Sequence, residues 1–194
     1  MAITKLIGSS LTNDTINATQ LDETANYDFT GTITGVGGIT QADMWRLNAN
    51  ISIGAGVTTT MTGWVRPSEA SQNGEYIGSG MSESSGIFTF PETGIYKVDL
   101  RAYYSSSNDT TYFISRIVGT VNDLNYHTIS EQDTSLNVIS GTNYTSANSF
   151  VYFDCQNTST HKISFRGYST HAGNIGGISY LNHTQVSFVR LGDT

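Results

Sequence analysis

The sequence is poor in charge and in cysteine, and both shortages exclude classes of protein. Charged residues make up 13% of the 194-residue chain, well below the usual share in a soluble domain. Disordered chains usually carry high charge and few aromatic residues, whereas 11% of this chain is aromatic, so we expect a folded protein. Cys155 is the single cysteine, which excludes a disulfide framework within the chain.

Basic clusters and long apolar runs are also missing. The formal net charge is −7, and a nucleic-acid backbone would be repelled because its binding needs clustered Lys and Arg. The apolar runs extend over only a few residues, too short to span a bilayer, and the first residues contain no apolar core of a secretory signal. We predict no nucleic-acid partner, no membrane insertion and synthesis in the cytoplasm.

Residues that could carry catalysis are present but scattered. The histidines are His127, His161, His171 and His183. They have neither H-E-x-x-H nor H-x-H spacing, so we predict no metal site. Cys155 follows Val151 and Phe153 on one face of a predicted strand, which favours a buried inert thiol over an exposed nucleophile.

Two pairs of carboxylates raise the alternative of a glycosidase acting on polysaccharide. Asp22 adjoins Glu23, and Glu131 lies two residues before Asp133. We place each pair in the polar N-terminal segment or in a polar loop, where solvated surface charge is the ordinary state. No other pattern forms a catalytic site, so we predict a non-enzymatic protein.

Strand patterns begin at Ala42. The clearest strand is predicted over residues 95–104, where Tyr96, Val98 and Leu100 alternate with charged side chains. Further strands are predicted over residues 45–53, 58–65, 87–90, 112–118, 126–130, 136–140, 149–155, 162–168 and 184–191. No segment has the period of an amphipathic helix. Many short strands between polar, Gly-rich turns predict an all-β protein, a β-sandwich of the jelly-roll type.

The first 40 residues differ from the rest. Isolated apolar residues lie among Thr, Asn and Ser with neither helical nor strand period, and residues 29–38 resemble a Gly-rich linker. We predict an extended anchoring arm with its linker over residues 1–40 and a trimer-forming jelly-roll head over residues 41–194. The arm residues predicted to bind a partner are Ile3, Leu6, Ile7 and Leu11.

One motif is specific enough to suggest a family. Its residues are Gly86, Phe88, Pro91, Gly94 and Tyr96. They resemble the G-x-F-x-x-P-x-x-G-x-Y signature of the globular head of the complement first component, which is a tumour-necrosis-factor-like jelly roll. The resemblance implies that Phe88 and Tyr96 pack in the core, that Pro91 and Gly94 form the turn between two strands, and that the head is a homotrimer.

A second resemblance points to a virus particle. Residues 2–7 together with residues 29–35 look like virion proteins of tailed phages, especially marine ones. Residues 81–91 and the closing residues 188–194 are similar to the same proteins. The resemblance implies a virion protein that is made in the host cytoplasm and is bound to a capsid or tail protein.

Calcium is a candidate ligand because related trimeric heads can hold it with loop oxygens. Asn108–Asp109 and Asn122–Asp123 could supply such oxygens. Asn-Asp pairs also form turns without any ion. We favour turns and predict no cofactor.

Four tyrosines near predicted strand ends are candidate contact residues. They are Tyr103, Tyr104, Tyr112 and Tyr126. Tyrosine at such positions can stack on sugars or line an apolar subunit interface, and we favour the interface for most of them.

These patterns predict assembly rather than chemistry. The first hypothesis is a trimeric head decoration or cement protein, or a short fibre subunit, anchored by its N-terminal arm. The second is the receptor-binding tip of a tail fibre that recognises a host surface glycan. A cellular trimeric ligand related to tumour necrosis factor is a third alternative, which the lack of a secretory signal disfavours.

Overall fold

A computed structural model describes residues 38–68 and 76–194 of the chain. Within these residues the chain is all-β and contains no helix, as predicted. The arm, its linker and the four apolar residues Ile3, Leu6, Ile7 and Leu11 lie outside the described residues, apart from positions 38–40. The boundary between residues 40 and 41 therefore stays a prediction.

Thirteen strands form in the described part of the chain. They are β1 (Ala42–Leu47), β2 (Ile51–Ile53), β3 (Val57–Thr60), β4 (Trp64–Val65), β5 (Ser82–Ser84), β6 (Ile87–Thr89), β7 (Gly94–Ser106), β8 (Thr110–Thr120), β9 (His127–Leu136), β10 (Asn143–Cys155), β11 (Lys162–Ser169), β12 (Gly173–Ile175) and β13 (Gln185–Gly192).

The strands make two antiparallel sheets that pack face to face. Sheet A has the order β2-β12-β7-β13-β1-β4, with β10 on the free side of β7. Sheet B has the order β5-β6-β11-β8-β9, with β3 also paired to β11. Strands distant in sequence are neighbours in each sheet, which is the arrangement of a jelly-roll sandwich.

The core lies between the two sheets because every long strand alternates inward and outward side chains. In β7, Tyr96, Val98, Leu100 and Ala102 are buried, and the charged residues between them point outward, as predicted. Phe88 on β6 lies at the centre of the core. Its ring contacts those of Trp45, Trp64, Phe165 and Phe188.

The family motif lies where the resemblance implied. Phe88 is 0% and Tyr96 is 1% exposed, and the Tyr96 hydroxyl donates a hydrogen bond to the Glu92 carbonyl at 3.0 Å. Pro91 lies in the connection between β6 and β7, and Gly94 begins β7 with a φ of 143°. The connection is therefore a short loop that a buried tyrosine closes.

Several strand predictions were wrong in extent. Residues 45–53 and 58–65 were each expected as one strand, but the chain leaves the sheet at 48–50 and at 61–63. Gly63 adopts a φ of 78° there, which is incompatible with a strand. Residues 137–140 were expected in a strand but form a loop after β9, because Asn137, Ile139 and Ser140 point into solvent and bury no apolar face.

The direction of the strands gives the head two ends. Ala42 at the start of β1 pairs with Val189 near the end of β13, and Gly94 begins β7 beside Gly192. We call this the proximal end, because the described chain begins there, at residues 38–42. The distal end carries loops 107–109, 137–142 and 170–172.

Candidate interaction surface

The outer face of sheet A, the side turned away from sheet B, carries most of the exposed aromatic side chains of the long strands. On β10, Tyr144 is 59%, Phe150 56% and Tyr152 60% exposed. These residues alternate with buried Ala147 and Phe153, so strand geometry and not local disorder turns them outward. Exposed large aromatics on one face of a sheet are typical of a binding surface.

Strand β10 is also an edge. Among the described strands it pairs with β7 alone, and its neighbour β9 is the edge of sheet B. The two edges are linked by side chains, since the Ser130 hydroxyl donates to the Phe150 carbonyl at 2.9 Å and the Thr134 and Thr145 hydroxyls lie 2.9 Å apart. Strand β9 therefore partly covers the backbone of β10, and the outward aromatic side chains of β10 are what another chain could contact.

Phe150 and Tyr152 form what we call the edge strip. Their ring centroids lie 6.0 Å apart with an interplanar angle of 76°. The Lys97 ammonium lies 5.6 Å from the Phe150 ring and 3.0 Å from the Asp99 carboxylate. Aromatic residues are enriched at protein interfaces, and the Lys97 ammonium is attracted to the face of the Phe150 ring.

A second apolar strip lies on the other side of the same face. We call Met44, Ile77 and Val189 the β1 strip. Ile77 is 50% exposed, and the three side chains line a shallow cavity of about 230 Å³. Cross-strand register places Val189 beside Lys97, which in turn lies beside Tyr152. Two different apolar strips therefore border one strand of charged residues.

The charged strand between the strips is β7. A cavity of about 290 Å³ lies over it, and Asp99, Arg101, Asn148, Gln185 and Ser187 contribute to its wall. Asp99 is paired with Lys97, whereas Arg101 is exposed. A negative side chain, Asp99, and a positive one, Arg101, therefore lie two positions apart on the outer face. They would be complementary to a partner surface that carries both positive and negative charges.

At the distal end of the outer face, three rings lie side by side across the strands. We call Tyr103, Tyr144 and His183 the distal tyrosine row. The rings of Tyr103 and Tyr144 are nearly parallel, with centroids 5.6 Å apart and an interplanar angle of 18°. The His183 ring lies 4.7 Å from Tyr103 on the other side.

Comparison with known proteins identifies the fold. No family model matches the sequence, and no curated protein matches it. The Eiger TNF of S. frugiperda superposes with a TM-score of 0.59 and 15% identity, over 79% of this chain and 93% of its own. Murine APRIL at pH 8.0 has a TM-score of 0.54 and 18% identity, over 78% of this chain and 98% of its own.

The chain has a tumour-necrosis-factor-like jelly-roll fold. A further neighbour, the PRD1 vertex protein P5, has a TM-score of 0.46 and 13% identity, over 81% of this chain and all of its own. That similarity is too weak to support an inference. The predicted fold class is thus confirmed, and at these identities the neighbours show the fold alone.

Within this TNF-like jelly roll, the four candidate tyrosines do not form one group. Tyr103 belongs to the distal tyrosine row. Tyr112 is 46% exposed on sheet B, and Tyr126 follows the loop between β8 and β9 at the proximal end, where its hydroxyl donates to Asp123 at 2.9 Å. Burial and this hydrogen bond raise the pKa of Tyr126 to about 12.

The prediction that Tyr104 contacts a partner or a glycan was wrong. Its side chain is 0% exposed and stacks on Phe113 at 4.7 Å inside the sandwich. The Tyr104 hydroxyl donates to the Ile114 carbonyl at 3.0 Å, and burial raises its pKa. Tyr104 is two residues beyond Ala102 on the inward face of β7, and that position places it in the core.

The catalytic candidates have ordinary structural environments. Cys155 is buried, as predicted, and burial raises the pKa of its thiol to about 11, so the reactive thiolate is scarce at neutral pH. Glu131 lies on strand β9 and not in the predicted loop, and it forms an ion pair with Arg116. The described residues contain no group of three potential metal ligands. Asp22 and Glu23 lie outside them.

The two Asn-Asp pairs make turns in the described loops. The Asn122 carboxamide oxygen accepts hydrogen bonds from the backbone of Leu124 and Asn125 at 3.1 and 2.9 Å. The Asn122 contacts are those of a turn. Asp109 accepts a hydrogen bond from the backbone of Val138 at 2.5 Å, which joins loop 107–109 to loop 137–142. No described helix is long and apolar enough to cross a membrane.

Proposed function

We propose that the chain is a non-enzymatic structural subunit of a phage virion that assembles as a homotrimer through the outer face of sheet A. The single observation that carries the trimer is the edge strip: two aromatic side chains, each more than half exposed, on an edge strand. Burying them would remove apolar surface from water.

Two different strips on one chain favour a closed ring. The edge strip of one subunit can pack on the β1 strip of the next, and a head-to-tail contact of this kind forms a ring when the rotation closes. The Lys97, Asp99 and Arg101 side chains between the strips add both charge signs to the contact. Charge complementarity would then fix the register of neighbouring subunits.

The oligomeric state tests this contact. Light scattering of the purified protein should give about three times the chain mass of 21.0 kDa. Phe150→Glu should give a folded monomer, because it replaces an apolar contact surface by a hydrated carboxylate that the subunit contact would have to remove from water. Tyr112→Glu is the matched control, since Tyr112 is similarly exposed but lies on sheet B. A monomeric wild-type protein would refute the trimer.

The virion role rests on the phage-like segments of the sequence and on the predicted arm. Ile3, Leu6, Ile7 and Leu11 would fit apolar pockets of a capsid or tail protein, and part of the arm could add a strand to a partner sheet. A cryo-electron-microscopy map of the parent particle tests this proposal. Density for the head on the capsid shell supports a decoration or cement protein, whereas density at the tail supports a fibre subunit.

A receptor-binding tip is the second candidate, and one observation favours it. The distal tyrosine row lies at the end of the head opposite residues 38–42. A head that is anchored at its proximal end would present these rings away from the particle, where host surface glycans are met.

A further inference from the structure

Backbone contacts hold Tyr103, the middle ring of the distal tyrosine row, in place. The backbone N–H of Tyr103 donates to the Thr184 hydroxyl at 3.0 Å, and the Tyr103 carbonyl accepts from the Gly176 N–H at 2.6 Å. A Cβ at Gly176 would lie 2.5 Å from Cδ1 of Tyr103. Glycine at position 176 therefore leaves room for the Tyr103 ring.

The surroundings of the row are polar but carry no formal charge at the paired positions. Ser146 is the cross-strand partner of Tyr103, and Ser105 is the partner of Tyr144. Asn174 on β12 pairs with Ser105. The rings are thus bordered by hydroxyl and amide groups, which can exchange hydrogen bonds with a ligand that has many hydroxyls.

We propose that the distal tyrosine row binds a neutral hexose oligosaccharide. The exposed face of Tyr144 would stack on the apolar face of a pyranose ring, and the tyrosine hydroxyls, Ser146 and Asn174 would bond to sugar hydroxyls. The proposal rests on the receptor-binding candidate and names its site and ligand class. Because the site is shallow, each copy binds weakly, and three copies on one trimer raise the apparent affinity for a polymer.

Calorimetric titration tests this site with two glucose hexasaccharides as probes, maltohexaose and cellohexaose. The wild-type protein should bind at least one of them saturably at millimolar concentration. Tyr144→Ala should weaken that binding at least tenfold, because the stacking face is lost. Tyr112→Ala should bind like the wild type, since Tyr112 lies on the other sheet. The proposal is overturned if no probe binds, or if both variants lose binding equally.

Light scattering of the same samples separates this proposal from the trimer. Tyr144→Ala should keep the wild-type mass, and a monomeric Tyr144→Ala protein would assign Tyr144 to the subunit contact and refute the sugar site. The monomer expected from Phe150→Glu should still bind the hexasaccharide with the wild-type affinity per chain. Loss of trimers therefore leaves the sugar site standing, and loss of sugar binding leaves the trimer standing.

Discussion

At the residue scale, strand alternation predicted more than the positions of single tyrosines did. The inward series of β7 runs from Tyr96 through Leu100 to Tyr104, so the sequence already contained the signal that Tyr104 is buried. Tyr104 was nevertheless predicted to be a contact residue, because it lies near the end of a predicted strand. His183 could not be predicted as a neighbour of Tyr103, because the two are eighty positions apart and meet only through the pairing of β7 with β12 and β13.

A buried carboxylate holds the start of sheet A to the segment around Met81. Asp43, with a side chain only 3% exposed, accepts hydrogen bonds from Arg66 at 2.7 and 3.0 Å, from the Trp45 indole at 2.9 Å and from the Met81 N–H at 2.7 Å. The Arg66 guanidinium also lies over the ring of Trp45 at 4.2 Å. This network could not be predicted from the sequence, because its members are up to 38 positions apart.

Asp43→Ala should lower the free energy of unfolding by about 3 kcal/mol, because it leaves several partly buried donors without an acceptor. Asp43→Asn should lose less, since one carboxamide oxygen can still accept. Urea unfolding at one fixed protein concentration measures both, because subunit association shifts apparent stability. An Asp43→Ala protein as stable as the wild type would show that solvent satisfies these donors.

At the element scale, the hairpin of β5 and β6 explains why glycine occupies the first motif position. Ser85 and Gly86 are the two turn residues, with φ values of 53° and 86°, and positive φ at both positions defines a type I′ turn. The motif correctly predicted that Phe88 is buried. Strand β5, which precedes the turn, was not predicted. Its sequence, Ser82-Glu83-Ser84, has no apolar alternation, and only pairing with β6 makes it a strand.

Gly86→Ala should lower the free energy of unfolding by about 2 kcal/mol, from backbone strain and a close contact. An added Cβ would lie 2.7 Å from the Met61 carbonyl oxygen. Gly56→Ala is the control, because Gly56 has a φ of 71° but no atom within 4 Å of the added Cβ, so it loses only the strain. Thermal unfolding of the two variants compares them, and an equal loss would exclude the contact with Met61.

At the scale of the whole molecule, the sequence predicted the jelly-roll class but not the distribution of its surfaces. The strand over residues 149–155 was expected, and its alternation already turned Phe150 and Tyr152 outward. The β1 strip was not visible, because Met44, Ile77 and Val189 come together only when β1 pairs with β13 and Ile77 bridges to Ala42. A subunit contact made of two different strips is thus a property of the folded head.

A mixing experiment tests that property. Phe150→Glu removes the edge strip and Ile77→Glu removes the β1 strip, so each variant alone should be a monomer. Mixed in equal amounts, they retain one intact edge strip and one intact β1 strip, and sedimentation velocity at high concentration should detect a dimer of about twice 21.0 kDa. A ring cannot close in this mixture, because the second junction carries both substitutions.

If Ile77→Glu alone still associates, the edge strips pair with each other, and the head-to-tail contact is refuted. If the mixture stays monomeric while the wild type is a trimer, the two strips do not meet across one junction, and the subunit contact lies elsewhere on the outer face.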